Sequence, residues 1–191
     1  MGSEIKRGIV YTLVTMALFG GVYPLLIWGL GQLAFADQAE GSLIRRADGT
    51  VVGSTLIAQA FSKPQYFHPR PSAVDYDAAS TGGSNHGPSN PDHLKAVKER
   101  LDAVTAREGI PASSVPSEMV TASGAGLDPH IPPPAAELQL PRVARTRGVP
   151  EERVRALVRA HTELPALGLL GRERVNVLAL NLALDHELGA M

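Results

Sequence analysis

From residue 8 to residue 36 the chain carries no Asp, Glu, Lys, Arg or His, reading GIVYTLVTMALFGGVYPLLIWGLGQLAFA. Everything after it is polar and mixed in composition. As a helix rising about 1.5 Å per residue the run extends roughly 43 Å, and about 20 residues suffice to cross a hydrocarbon core about 30 Å thick. Helix is the expected conformation, because in lipid each backbone N–H and C=O has to be paired inside its own segment. Tyr11, Tyr23 and Trp28 are placed as interface anchors. A kink is expected where Gly20, Gly21 and Pro24 fall together, since proline lacks an N–H and crowds the preceding turn. Ala17, Gly20, Gly21 and Pro24 share one side at helical spacing, a small-residue face that lets a second helix approach closely.

A rival reading sets this run as a secretory signal: Lys6 and Arg7 precede it, and Ala34, Phe35 and Ala36 form a small-residue cleavage pattern. Its length exceeds the usual 7 to 15 residues of a signal core and favours a retained anchor. Lys6 and Arg7 on one side against Asp37 and Glu40 on the other favour a cytoplasmic N-terminus, although Arg45 and Arg46 blunt the bias. The expected organisation is a short cytoplasmic N-terminus at 1–7, a single membrane-spanning helix at 8–36 and a soluble extracytoplasmic domain at 37–191.

A remainder of that length buries about two thirds of its surface without staples, so one globular domain is expected. The chain has no cysteine, which excludes disulfides, thiolate metal sites and cysteine nucleophiles. With 18 Lys plus Arg against 19 Asp plus Glu, no basic excess points to nucleic acid.

In chain order, 42–54 reads as a hairpin turning at Asp48-Gly49, and 55–61 as a turn or two of helix with Leu56, Ile57 and Ala60 on one side. Half of 64–91 is Pro, Gly, Ser or Asn; Tyr66, Phe67 and Tyr76 predict an ordered, irregular loop pinned by aromatic rings. Asn90-Pro91 opens a helix with Leu94, Val97, Leu101 and Val104 as its core stripe and Gly109 as its stop. A short helix is expected near 115–120, then a helix at 135–147 bent or interrupted at Pro141 and ended by Gly148. Another comes after Pro150, with Val154, Leu157, Val158 and His161 on one face. After a loop at 164–171, a strand at 175–178 leads into a closing helix at 179–188. Helices mixed with short strands, without regular βαβ alternation, predict an α+β fold.

The residues offer no self-sufficient active site. GxxxxGK[ST], a full dinucleotide fingerprint, GxSxG and HExxH are all absent. Asp128 with His130 is a weak metal pairing; His161 reads as a hydrogen-bonded core or boundary histidine. Arg142, Arg145, Arg147, Arg153, Arg155 and Arg159, interspersed with Glu137, Glu151, Glu152 and Glu163, read as a salt-bridged solvent face. Two glycine-rich loops, Ser80 to Asn85 and Ser123 to Asp128, offer N–H groups and short side chains suited to an ion or to tight turns.

These loops also carry a resemblance. FHPRPSA at 67–73, GGSN at 82–85, SNP at 89–91, VTASG at 120–124, GLD at 126–128, RVA at 142–144, RVNVL at 174–178 and LNLALD at 180–185, with GGVYPL at 20–25 in the apolar run, closely resemble KdpC, the C-subunit family of bacterial potassium-transporting P-type ATPases. The resemblance implies a non-catalytic subunit of a high-affinity, ATP-driven potassium importer in the cell membrane. It would work beside a channel-like subunit, a P-type catalytic subunit and a small membrane peptide. The chain lacks DKTG, the phosphorylated motif of the catalytic subunit. The resemblance also implies a catalytic chaperone that raises the partner's ATP affinity; Ser80 to Ser84 loosely echoes the glycine signature of ABC ATPases. Against it stands an assembly or potassium-access role outside the cytoplasm, where ATP contact is excluded. Candidate contact residues are Arg70, Gly82, Gly83, Ser84, Asn85, Ser123, Gly124, Gly126 and Asp128, with Ala17, Gly20, Gly21 and Pro24 for helix packing. No catalytic or metal residue is assigned, and no cofactor beyond ATP implied by the resemblance. The alternative is a membrane-anchored extracytoplasmic protein that binds an ion or small anion.

Overall fold

The computed structural model describes residues 2–46 and 48–189, and the chain divides into two compact units, 1–52 and 53–191. Ala47, inside the predicted hairpin, lies outside the described residues.

In the first unit, α1 (Gly2–Ala17) continues through one π-helical turn (Leu18–Val22) into α2 (Tyr23–Ala34). Together they form an apolar helix of 33 residues, long enough to cross a bilayer, with none of its most apolar window buried. This π-turn falls where the kink is expected. The Tyr23 N–H donates to the Leu18 carbonyl, five residues back, and the register shift opens room for the proline ring in the first turn of α2. After α3 (Ala36–Ala39), the strands β1 (Leu43–Arg45) and β2 (Val51–Ser54) pair as a hairpin. Its turn has the predicted chemistry: Gly49 sits at φ +84°, and the Asp48 carboxylate accepts the Thr50 N–H.

The second unit is α+β. The long helix α4 (Pro91–Glu108) is followed by two short 3-10 turns, β3 (His130–Ile131), α5 (Pro133–Arg147), α6 (Glu151–Ala160), β4 (Thr162–Glu163), β5 (Arg174–Asn176) and α7 (Val177–Leu188). The strands form an antiparallel sheet in the order β3-β5-β4, pairing Ile131 and Thr162 with Val175 from either side. Ile131, Leu140, Val143, Val154, Val158, Val175, Leu180 and Leu184 meet in one core.

Local chemistry sets the helix ends. Asn90 accepts the Asp92 and His93 N–H groups, with Pro91 as first residue of α4, while Gly109 and Gly148 end α4 and α5 at φ +70° and +66°. Within α4 only Val104 is buried; Leu94, expected in the core stripe, is exposed. α5 runs through Pro141 as one helix. The last strand stops earlier than expected because the Asn176 side chain accepts the Ala179 N–H and caps α7 from inside the predicted strand. His161 ends α6, its ring Nδ1 2.9 Å from the Leu157 carbonyl, as a boundary histidine should be. The helix expected at 55–61 is absent. Ser54 Oγ takes the Leu56 N–H, the Leu127 carbonyl takes that of Ala58, and Thr55 O accepts from Asn176 Nδ2, so this backbone is bonded across the domain.

The predicted irregular loop is ordered at its start because it threads the core. Phe67 is fully buried; its N–H donates to Asn181 Oδ1 at 2.8 Å and its carbonyl accepts from Asn181 Nδ2 at 2.9 Å. One residue on, Gln139 does the same for His68, at 2.8 and 3.1 Å. Two helix-borne amides thus stand in for neighbouring strands. Arg142 and Arg147 complete the clamp and correct the solvent-face expectation for both. Arg142 pairs with the buried Glu108 at 3.0 Å and donates to the Pro64 and Tyr66 carbonyls; Arg147 reaches Gln65 O, Leu184 O and the Asp185 carboxylate. Arg155, linked to Glu137, Glu151 and Glu152, keeps to the surface pattern.

Asn181→Leu removes both partners of the Phe67 backbone at a buried site, and an unpaired buried polar group costs about 1–3 kcal/mol. The variant is expected to lose about 2–5 kcal/mol of domain stability, measured as the shift in thermal unfolding of the detergent-solubilised chain by near-ultraviolet circular dichroism.

Candidate functional site

Leaving the clamp, the chain passes His68 and Arg70 and folds into a tight turn. Ser72 Oγ accepts the N–H groups of Val74 and Tyr76, both at 3.0 Å, and Tyr76 O–H donates to the Arg70 carbonyl at 2.8 Å. Asp75 and Tyr76 sit at φ +52° and +59°, a region L residues enter rarely. This turn is the floor on which the two glycine loops meet.

Those loops close on each other through their backbones. Thr81 Oγ1 and the Gly82 N–H both donate to the Ala125 carbonyl, at 3.1 and 3.0 Å, and the Ser123 N–H donates to Pro71 O at 3.0 Å. A Cβ on Gly83 would lie 2.9 Å from Gly124 O. One on Gly126, at φ +72°, would lie 2.6 Å from Val74 and 2.8 Å from Gly82 O. Glycine is required at both positions by close backbone approach, and at Gly126 also by conformation. At Gly124 and Gly82 an added Cβ meets nothing closer than 3.9 Å. Ser123 is buried; Ser84 and Asn85 stay exposed at the outer end of their loop, with Asn85 at φ +54°.

At the other end of the second loop, Asp128 bridges to Arg70 at 3.3 Å. Asp128 Oδ1 also accepts the His130 N–H at 3.0 Å and lies 3.5 Å from the His130 ring, whose Nε2 is 4.0 Å from Glu163. Burial pushes the Asp128 carboxyl up, but the His130 hydrogen bonds and the Arg70 charge outweigh it and hold the group below its ordinary value. The carboxylate is therefore charged at neutral pH. Among the described residues, no group of three or more His, Cys, Asp or Glu side chains is gathered as a metal site. Around Arg70 and Asp128 opens a cleft of about 360 Å³, walled by Glu118, His130, Ile131, Arg172, Glu173 and Arg174. Its mixed charges do not select one sign of ion. A second cleft, about 210 Å³, is lined by Phe61, His68, Tyr76, Arg100, Arg107 and Met119. Burial, with Arg107 and Arg142 nearby, pushes His68 down to about 3, so its ring is neutral at physiological pH.

The sequence-predicted soluble residues thus come together as a single patch running from Ser84 and Asn85 through the paired glycines to Arg70 and Asp128. Ala17, Gly20, Gly21 and Pro24 lie in the other unit, where a Cβ on Gly20 or Gly21 meets nothing within 4 Å. Sequence reasoning missed Ser72, which holds the floor, and Gln139 and Asn181, which hold the segment carrying it. A signal existed for the amides: Gln139 lies four residues from both Ala135 and Val143, and Asn181 three from both Leu178 and Leu184, so each is polar on an apolar helix face.

Gly126→Ala adds a Cβ in a left-handed conformation and against backbone, and should cost about 2 kcal/mol or more, whereas Gly124→Ala should be nearly neutral. Paired thermal unfolding of the two variants checks this; equal effects would contradict backbone closure.

The family model described as "KdpC: K+-transporting ATPase, c chain" matches residues 5–186. A protein of Geobacter sulfurreducens named "Potassium-transporting ATPase KdpC subunit" is 51% identical over 95% of this chain and 97% of its own length. Proteins of the same name from Caulobacter vibrioides and Caldanaerobacter subterraneus are 53% and 50% identical, covering 97% and 98% of this chain and 94% and 97% of theirs. The matched span takes in the apolar helix, the buried clamp and both glycine loops: the chain belongs to the KdpC family.

Proposed function

We propose that the chain is the accessory KdpC subunit of an ATP-driven potassium importer, anchored by its apolar helix with the N-terminus in the cytoplasm and the soluble domain outside. It works there by assembly and potassium access: the helix packs on a membrane partner through Ala17, Gly20, Gly21 and Pro24, and the patch from Ser84 to Asp128 caps a partner subunit. Those partners are a channel-like subunit, a P-type catalytic subunit and a small membrane peptide. Family membership supports the complex; one geometric observation supports the mechanism. A phosphate cradle presents free N–H groups to its ligand, but here the Gly82 N–H is bonded to Ala125 O and the Gly126 N–H to Ser123 O. The loop that echoes an ABC-ATPase signature is used to hold its neighbour. An effect on the catalytic subunit's ATP affinity then travels through coupled conformations of the complex. The anchored-binder alternative draws less support, because three acids stand among three arginines in the Arg70 cleft.

The helix face gives the test. Gly20→Leu with Gly21→Leu fills the open side of the π-turn and should release the subunit from the solubilised complex, reducing its co-purification about tenfold or more, as expected for about 1.4 kcal/mol or more of lost packing. Undiminished co-purification would contradict docking through this face.

A further inference from the structure

We propose that the tip of the β4–β5 hairpin is a second membrane contact, inserting its leucines into the interfacial layer of a phospholipid bilayer. The strands pair Thr162 with Val175 and Glu163 with Arg174, and the connection between them, LPALGLLGRE, begins with eight uncharged residues. Leu164, Leu167, Leu169 and Leu170 are 73%, 90%, 86% and 65% exposed, the densest run of exposed large apolar side chains in the second unit among the described residues. Such a cluster in water signals a partner surface.

The tip has a defined shape. Ala166 N–H donates to Leu170 O at 3.0 Å, Leu170 N–H to Ala166 O at 2.9 Å, Leu169 N–H to Ala166 O at 3.2 Å and Gly168 N–H to Pro165 O at 2.9 Å. Leu167 is held at φ +55°, which a branched apolar side chain rarely adopts, and is the most exposed residue of the four.

Three features select lipid as the occupant. First, the N–H groups of Ala166, Gly168, Leu169 and Leu170 are satisfied inside the tip, which lowers the cost of moving this backbone from water into the interfacial layer. Second, 164–171 carries no charged residue and no polar side chain that would fix a register against a protein surface, where hydrogen bonds normally do so. Third, charge resumes at the base of the tip: Arg172, which makes no ion pair among the described residues, then Glu173, then Arg174 bound to Glu163 at 2.8 Å. Leucines ahead of a free arginine match the order of acyl boundary and lipid phosphate. Residues 35–52 join the apolar helix to the second unit as a covalent tether. That tether makes weak insertion sufficient, since the second contact is intramolecular. The inference rests on the helix being a membrane anchor and goes beyond it.

The test uses the full chain with its single tryptophan moved, Trp28→Phe with Leu169→Trp, reconstituted without other subunits into phosphatidylcholine and phosphatidylglycerol vesicles, with or without acyl-chain bromine. Insertion predicts blue-shifted emission that brominated lipid reduces by about half, with shallow bromines more effective than deep ones. Water-like emission that iodide quenches and bromine does not, in protein that floats with the vesicles, overturns the proposal while leaving the anchor intact; a tip made to dock on a partner protein gives this result. Protein that fails to float removes the anchor reading and this proposal with it.

Discussion

An irregular strand of chain in the middle of a domain needs its polar backbone satisfied, and here helices supply what a sheet otherwise would. Asn181 grips both backbone groups of Phe67 and Gln139 both of His68, each as donor and acceptor at once. Arg142 and Arg147 take the carbonyls on the N-terminal side. Phe67 is thereby fixed among the core side chains, and the residues after it inherit their positions: Arg70 beside Asp128, Ser72 and Tyr76 in their turn, and the glycine loops above them. Removing one amide therefore affects the patch as well as the core. Burying two guanidiniums is expensive unless each finds charge and acceptors; Glu108 and Asp185 supply the charge and the threaded segment supplies the acceptors.

The ends of helices were legible in the sequence because they depend on a few neighbouring residues. Asn90-Pro91, Gly109 and Gly148 each do what short-range chemistry demands, and Gly20, Gly21 and Pro24 mark the π-turn. What was illegible depends on distant partners. Periodicity at 55–61 suggests helix, but the Ala58 N–H and the Thr55 carbonyl are claimed by Leu127 and Asn176, far along the chain. Alternating Arg and Glu suggests a solvated face, and the pattern itself does not say that Arg142 and Arg147 lie toward the threaded segment while Arg155 lies away from it. Within the patch, sequence identified the glycines as loop-formers without revealing that the two loops are each other's partner.

That pairing bears directly on function. Glycine-rich loops invite comparison with phosphate cradles, yet a glycine can equally be required because another backbone occupies the space of its side chain. At Gly83 and Gly126 the second reason is the one the geometry supplies. The result is a patch with exposed Ser84 and Asn85 at one end and a salt-bridged cleft of mixed charge at the other, the surface that the proposed function sets against a partner subunit. Family membership gives that surface its setting, a potassium-transporting ATPase, and the apolar helix gives it a membrane.

The proposed role requires this surface to lie outside the cytoplasm, where it does not touch ATP. The chain contains no cysteine, so Ser84→Cys places one thiol on the exposed end of the patch. Labelling by a membrane-impermeant maleimide is measured in intact cells, in cells with a permeabilised outer layer, and after lysis. An extracytoplasmic patch is labelled before lysis; labelling only after lysis would place the patch in the cytosol and contradict the proposed role.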